Sequence, residues 1–148
     1  MTFLTAAFVF LLDRITKIAA ANGISHGQSI KILPNILHFT LVFNNGTAFG
    51  LLKGQNSVLA IFSVLAIVFI VIYVITHKAL TSPLSFALGL ILGGALGNLF
   101  DRVKFSCVID FIDFRVWPVF NVADSAITVG MIFLGWCILR QKHASDSN

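Results

Sequence analysis

Three aspartates, Asp110, Asp113 and Asp124, crowd into "VIDFIDFRVWPVFNVADSAI", residues 108–127. They are half of the six acids in the chain, which contains no glutamate. Two carboxylates about 4 Å apart, at an effective dielectric near 20, repel by roughly 4 kcal/mol. That is on the order of three pKa units, so one carboxyl keeps its proton near neutral pH while the other is ionised. A pair in that state can take a proton from water and give one to a carbonyl or a leaving amine, which is aspartic-peptidase chemistry. Spacing alone allows either Asp110 or Asp113 to partner Asp124. Asp124 also has a purely structural reading: Asn121 is a good N-cap, and Asp124 at N3 would favour the start of a helix. That reading leaves Asp110, in the apolar run "CVIDFIDF", unexplained.

Further polar groups gather near apolar segments. Asp13 and Lys17 are four residues apart, with Arg14 between them. On a helix the first two share a face and read as an internal ion pair near one end. In "GGALGNLFDR", Asn98, Asp101 and Arg102 fall on one helical face, either as a polar helix end reaching water or as a wall beside a bound molecule. Asn121, Asp124 and Thr128 share a face in the same way, with Ser125 beside them.

Other chemistries have less support. No His is placed to activate a serine, since His26, His38, His77 and His143 are scattered and no GxSxG occurs. HExxH is impossible without glutamate. Cys107 and Cys137 lack any metal-ligand spacing and read as inert, unpaired thiols. Neither a metal nor another cofactor is expected. The charge of +4 includes no basic run or face, which argues against nucleic acid as a partner.

The elements that must hold these groups are apolar. Mean hydropathy is +0.94 and only 11% of residues are charged, against about 25% in soluble domains. An integral membrane protein follows. Four stretches can span, at about 3–21, 57–76, 84–100 and 122–139. Each is roughly 26–30 Å long at 1.5 Å per residue, which matches the bilayer core. Gly89, Gly93 and Gly97 line one face of the third, where another helix can come close. Leu37–Phe43 alternates in strand period, with Leu37, Phe39, Leu41 and Phe43 on one side and His38, Thr40 and Val42 on the other. "NNG" then turns the chain. The tail "RQKHASDSN" reads as polar and mobile. "MTFLTAAFVFLLDR" lacks a basic leader and a cleavage site and reads as a retained first helix. Four crossings put both termini on one side. Lys78, Arg140 and Lys142 flank helix ends there, while Lys31, Lys53, Arg102, Lys104 and Arg115 lie on longer opposite loops, so termini on the cytoplasmic side are favoured. The expected fold is an all-α membrane protein of four transmembrane helices in one domain, 1–148, with a small extracytoplasmic β element between helices 1 and 2.

"DRITK" (13–17), "NNGTAFG" (44–50), "GGALGNLFDR" (93–102), "VIDFIDF" (108–114) and "FNVADSAI" (120–127) together resemble the lipoprotein signal peptidase (signal peptidase II) family, in order and over nearly the whole chain. The resemblance implies a membrane aspartic peptidase that cleaves a prolipoprotein before its diacylglyceryl-modified cysteine. It further implies a multi-pass protein of the bacterial cytoplasmic membrane, acting among membrane lipids near the outer face and taken here as a monomer. By resemblance the catalytic pair is Asp110 and Asp124, and Asp113 becomes supporting, as do Asp13, Lys17 and Asp101. Asn98, Arg102 and Asn121 match site-lining positions. Asn44 and Gly46 match a loop that contacts substrate or inhibitors of the globomycin type. Two positions depart from the family pattern: Arg14 stands where Gln is frequent, and Thr47 where Ala is. The short link from Asp110 to Asp124 implies a small surface element there. Two rival readings remain in other classes. A proton-coupled transporter would use Asp13 as its intramembrane site. In an assembly subunit, all the acids would be caps and ion pairs.

Overall fold

The computed structural model describes residues 1–46, 54–77 and 79–146. The expectations for Thr47, Lys53 and Lys78 lie outside them, as does the Lys142 side chain. Along the described chain the order is α1 (Thr2–Gly23), β1 (Ser29–Leu33), β2 (Leu37–Asn44), α2 (Asn56–Thr76), α3 (Ser82–Phe105), β3 (Val108–Asp113) and α4 (Val122–Asp146).

α3 is the central helix, packed against α1, α2 and α4. Small residues make this possible. A Cβ on Gly89 or Gly93 would fall 2.6 Å from Thr5 Cβ and from the Ala6 carbonyl oxygen, so the glycine stripe meets the backbone of α1. Gly94 and Gly130 make the same close approach between α3 and α4. Ala6, Ile70, Leu84, Leu88, Ile91 and Leu92 fill the core where α1 and α2 meet α3. The outward faces stay apolar, for example Leu4, Phe8 and Ile15 on α1 and Phe62, Leu65 and Phe69 on α2. By length and composition α2, α3 and α4 are apolar enough to cross a membrane. α1 is long enough, but it carries Asp13, Arg14 and Lys17 in its middle.

Two helix ends and the make-up of the sheet differ from expectation. α3 runs beyond residue 100 to Phe105, because Asp101 is held by cations of α1, and it ends at Ser106 in the left-handed conformation (φ 57°). α4 continues through the tail to Asp146, where a mobile segment was expected. The sheet also draws its third strand from between α3 and α4 instead of lying wholly between helices 1 and 2, and its antiparallel order is β1-β2-β3. Ala20 and Ile24, Leu41, and Ile109 and Phe111 form a second apolar cluster that fastens the sheet to the end of α1.

Strict alternation along β2 fails for a defined reason. Phe39 pairs with Ile112 but Val42 pairs with Asp110, so β2 holds one extra residue between them, a β-bulge. A one-residue shift turns every later side chain to the other face. Before the bulge, His38 and Thr40 lie on the face of Asp113; after it, Val42 and Asn44 lie on the face of Asp110.

Candidate active site

The site is built outward from a buried ion cluster. Asp13 and Lys17 pair at 3.0 Å as their spacing predicts, and both side chains are fully buried. They are not an isolated pair. Lys17 Nζ also reaches Asp101 Oδ2 at 2.8 Å, and Arg14 bridges Asp101 Oδ1 (2.6 Å) and Asp13 Oδ2 (3.0 Å). Two acids thus meet two cations. The remaining acceptor positions tie down backbone: the Ala123 N–H donates to Asp13 Oδ1 (3.0 Å) and the Ile109 N–H to Asp101 Oδ2 (3.2 Å). One cluster therefore fixes α1, α3, the start of β3 and the first turn of α4. Gly97 makes room for it, since a Cβ there would lie 2.6 Å from Asp13 Oδ2. Arg14, which spacing left without a role, is thus part of the scaffold, and the Phe100 ring lies 4.7 Å from its guanidinium carbon.

Beside this cluster lie two amides and two carboxyls. Asn121 caps α4, accepting the Asp124 N–H on its Oδ1 at 2.9 Å. Its Nδ2 donates to Asp110 Oδ1 (2.6 Å) and to Asn98 Oδ1 (3.2 Å). Asn98 Nδ2 in turn donates to Asp124 Oδ1 (2.7 Å). From β2, Asn44 donates to Asp110 Oδ2 (2.8 Å), and its own Oδ1 accepts the Gly46 N–H. Asp110 and Asp124 are thus joined through Asn98 and Asn121. Capping and site geometry coexist at Asp124: its amide is capped while its carboxyl faces the cavity.

Both carboxyls line one cavity of about 580 Å³, together with Asn44, Gly46 and Arg102. Its apolar wall includes Phe114, Trp117, Pro118 and Phe120, with the Phe114 and Phe120 rings stacked 5.7 Å apart. Arg102 approaches from the end of α3, where Asn56 of α2 donates to its backbone carbonyl at 3.2 Å. Burial pushes the Asp110 carboxyl up, and the Asp124 charge pushes it further. Hydrogen bonds from Asn44 and Asn121 and the Lys17 charge pull it back, leaving it at about 7. A carboxyl at that level is half protonated at neutral pH and can serve as acid or base.

Asp113 lies on the opposite face of β3 and its bonding is local. It accepts the Thr40 hydroxyl (2.7 Å) and the Arg115 N–H (2.8 Å), and pairs with the Arg115 guanidinium (3.1 Å). Burial alone would raise it, but these three donors outweigh burial and hold it below the usual carboxylate value. It stabilises the turn after β3, where Arg115 has φ 67°.

Of the residues singled out by sequence, Asp110, Asp124, Asn44, Gly46 and Arg102 meet at the cavity. Asn98 and Asn121, expected to line it, lie behind it and contact the carboxyls instead. Asp13, Lys17 and Asp101 form the scaffold. Sequence reasoning missed the aromatic wall, although "FRVWPVF" between the two carboxyls was a visible signal: a run of rings next to acids has no place in a simple connector.

A model of the family "Signal peptidase (SPase) II" matches residues 5–140. The chain is similar to the lipoprotein signal peptidase of Halothermothrix orenii, 37% identical over 99% of this chain and 100% of the relative. It is also similar to that of Caldanaerobacter subterraneus subsp. tengcongensis, 43% identical over 94% and 96%. Among solved structures, a chain described as "Bacterial membrane enzyme structure by the in meso method at 2.3 A resolution" superposes with a TM-score of 0.89 at 33% identity, over 95% of this chain and 88% of that one.

Proposed function

The chain belongs to the signal peptidase II family, and from that premise we propose the following mechanism for it. It is a membrane peptidase acting on lipoprotein precursors, and it cuts before a cysteine carrying diacylglycerol. Asp110 and Asp124 are the catalytic pair and share one proton. The ionised member takes a proton from water, which attacks the scissile carbonyl while the protonated member donates to the developing oxyanion. On collapse the first member passes the water proton to the leaving amine and the second recovers its proton from the intermediate's hydroxyl. No covalent intermediate and no cofactor enter these steps. The observation that carries this reading is a single cavity onto which two carboxyls open, joined by two amides from behind and faced by one arginine.

Arg102, Asn44 and Gly46 contact the substrate backbone or the lipid ester, and globomycin-type inhibitors compete there. Asn98 and Asn121 act on the carboxyls. The apolar wall takes the hydrocarbon, and lipid tails enter sideways from the bilayer. Residues 1–148 work as one integral domain with four crossings. α1 is the fourth, because its charges neutralise one another inside the bundle and its outer face is apolar. Both termini lie in the cytoplasm of the cell, the sheet lies at the outer face of the cytoplasmic membrane, and the protein acts as a monomer. A transport role at Asp13 has little to work with, since that carboxylate is fully buried and already holds Lys17, Arg14 and the Ala123 N–H.

The deciding experiment is cleavage of a purified diacylglyceryl precursor in detergent. Wild type should cut and globomycin should stop it, while folded Asp110→Asn and Asp124→Asn proteins should lose at least about a thousandfold in kcat. Normal cleavage by either variant would overturn the assignment. Asp113→Asn should keep substantial activity.

A further inference from the structure

An ammonium group has three protons and accepts nothing. All three of Lys17's have partners inside the fold: Asp13 Oδ2 (3.0 Å), Asp101 Oδ2 (2.8 Å) and Asn98 Oδ1 (3.0 Å). The third matters most. A carboxamide has one accepting and one donating end, and rotation by half a turn exchanges them. A pure donor beside Asn98 admits only the oxygen. The NH2 end must then face Asp124, where it donates at 2.7 Å. The Asn121 amide donates to the same Asn98 oxygen and so enforces the same orientation. Asn121 is itself oriented by the capped Asp124 N–H, which leaves its own NH2 for Asp110.

We propose that Lys17 is a positioning residue for the reaction: through Asn98 it fixes which end of an amide meets Asp124, and so keeps the carboxyl pair singly charged and aligned. This rests on the reading of Asp110 and Asp124 as the catalytic pair. Lys17 does not line the cavity and touches neither carboxyl, so its effect passes through Asn98 and through its charge. The Lys17 charge also favours the ionised form of Asp110. Arg14 has a part in this arrangement. By holding Asp101 and Asp13 itself, it balances the two acids, which leaves one Lys17 proton for Asn98. Among the described residues the other charged groups facing the pair are Arg102 and Asp101 from α3, with Asp13 and Arg14 behind Lys17 on α1; the β2 contribution, Asn44, is neutral.

The test is the pH dependence of kcat/KM for a lipidated precursor, in detergent, between pH 5 and 9. Lys17→Met should move both limbs of the profile upward by about one pH unit, as loss of a nearby opposite charge does. On the acid limb kcat should fall by up to about tenfold, with KM within about twofold of wild type. Because Lys17→Met leaves an acid unbalanced, Lys17→Met/Asp101→Asn provides a charge-balanced version and should shift in the same direction by a smaller amount, the part carried through Asn98. Asn98→Ala breaks the link from the other side with the ion cluster intact, and its profile should move in the same direction. If a folded Asn98→Ala or either Lys17 variant loses amplitude while its limbs stay in place, Lys17 is only structural and the proposal fails. Asp110→Asn, measured in parallel, separates the two ideas: retained cleavage sinks the catalytic pair, whereas an inactive Asp110→Asn with unmoved Lys17 and Asn98 profiles sinks the positioning role alone.

Discussion

A buried carboxyl with two amide donors and a charged neighbour ties activity and stability to the same proton. Asp110 moves from its ordinary 3.8 to about 7 in the fold. The folded chain therefore binds more protons than the unfolded chain between those values, so this group's contribution is full below pH 3.8 and is lost as pH rises through 7. Two outcomes are expected. First, kcat/KM should decline above about pH 7 as the pair gives up its shared proton. Second, thermal melts in detergent should show wild type losing more stability between pH 5 and pH 8 than Asp110→Asn does, since the variant has nothing to ionise at that position. Equal losses in the two proteins would show that Asp110 is not shifted. Asp113 makes the contrast at this scale. It is the same residue type three positions on, but its donors face a turn, and they make it an ordinary ionised acid.

At the level of elements, two devices place the residues. One is the bulge in β2, which lets even-numbered residues serve Asp113 on one face and Asp110 on the other. The second is the glycine stripe of α3. Gly97 is its functional end, because a Cβ there would strike the Asp13 carboxylate at 2.6 Å and Ala123 at 3.3 Å. Gly97→Ala should destabilise the protein by about 1–3 kcal/mol through overpacking, and should lower activity by displacing the group that ties down the first turn of α4. Gly135, also helical, has nothing within 4 Å of such a Cβ. Gly135→Ala should be neutral or stabilising by up to about 1 kcal/mol. Melting temperatures of the pair check this; similar losses at both positions would mean that helix packing, not the Asp13 contact, governs the stripe.

For the whole molecule, the layout is a bundle with apolar outer faces and its polar chemistry collected at one end, under a sheet. The proposed orientation can be read by labelling single cysteines in a Cys107→Ser/Cys137→Ser background. Ile32→Cys on the exposed strand β1 should react with an impermeant maleimide on intact spheroplasts, and Thr81→Cys before α3 only after permeabilisation. The reverse pattern would invert the topology. Much of this molecule was already legible in the residue order. Hydropathy marked the helices because a bilayer imposes a length and an apolarity on any segment that crosses it. The spacing of Asp13 and Lys17, the glycines and the Asn121 cap were equally visible, because helix periodicity is local. Spacing could not choose between Asp110 and Asp113, and the resemblance chose Asp110. Tertiary structure decided what depends on contacts across the fold. It supplied the strand pairing that turns Asp110 and Asp113 to opposite faces, the bulge that sends Asn44 to Asp110, and the third strand of the sheet. It also joined Arg14 and Asp101, 87 residues apart, into one neutral cluster. Local pattern carries the period of an element. Which distant donor meets which buried acceptor is settled only when the helices pack and exclude water.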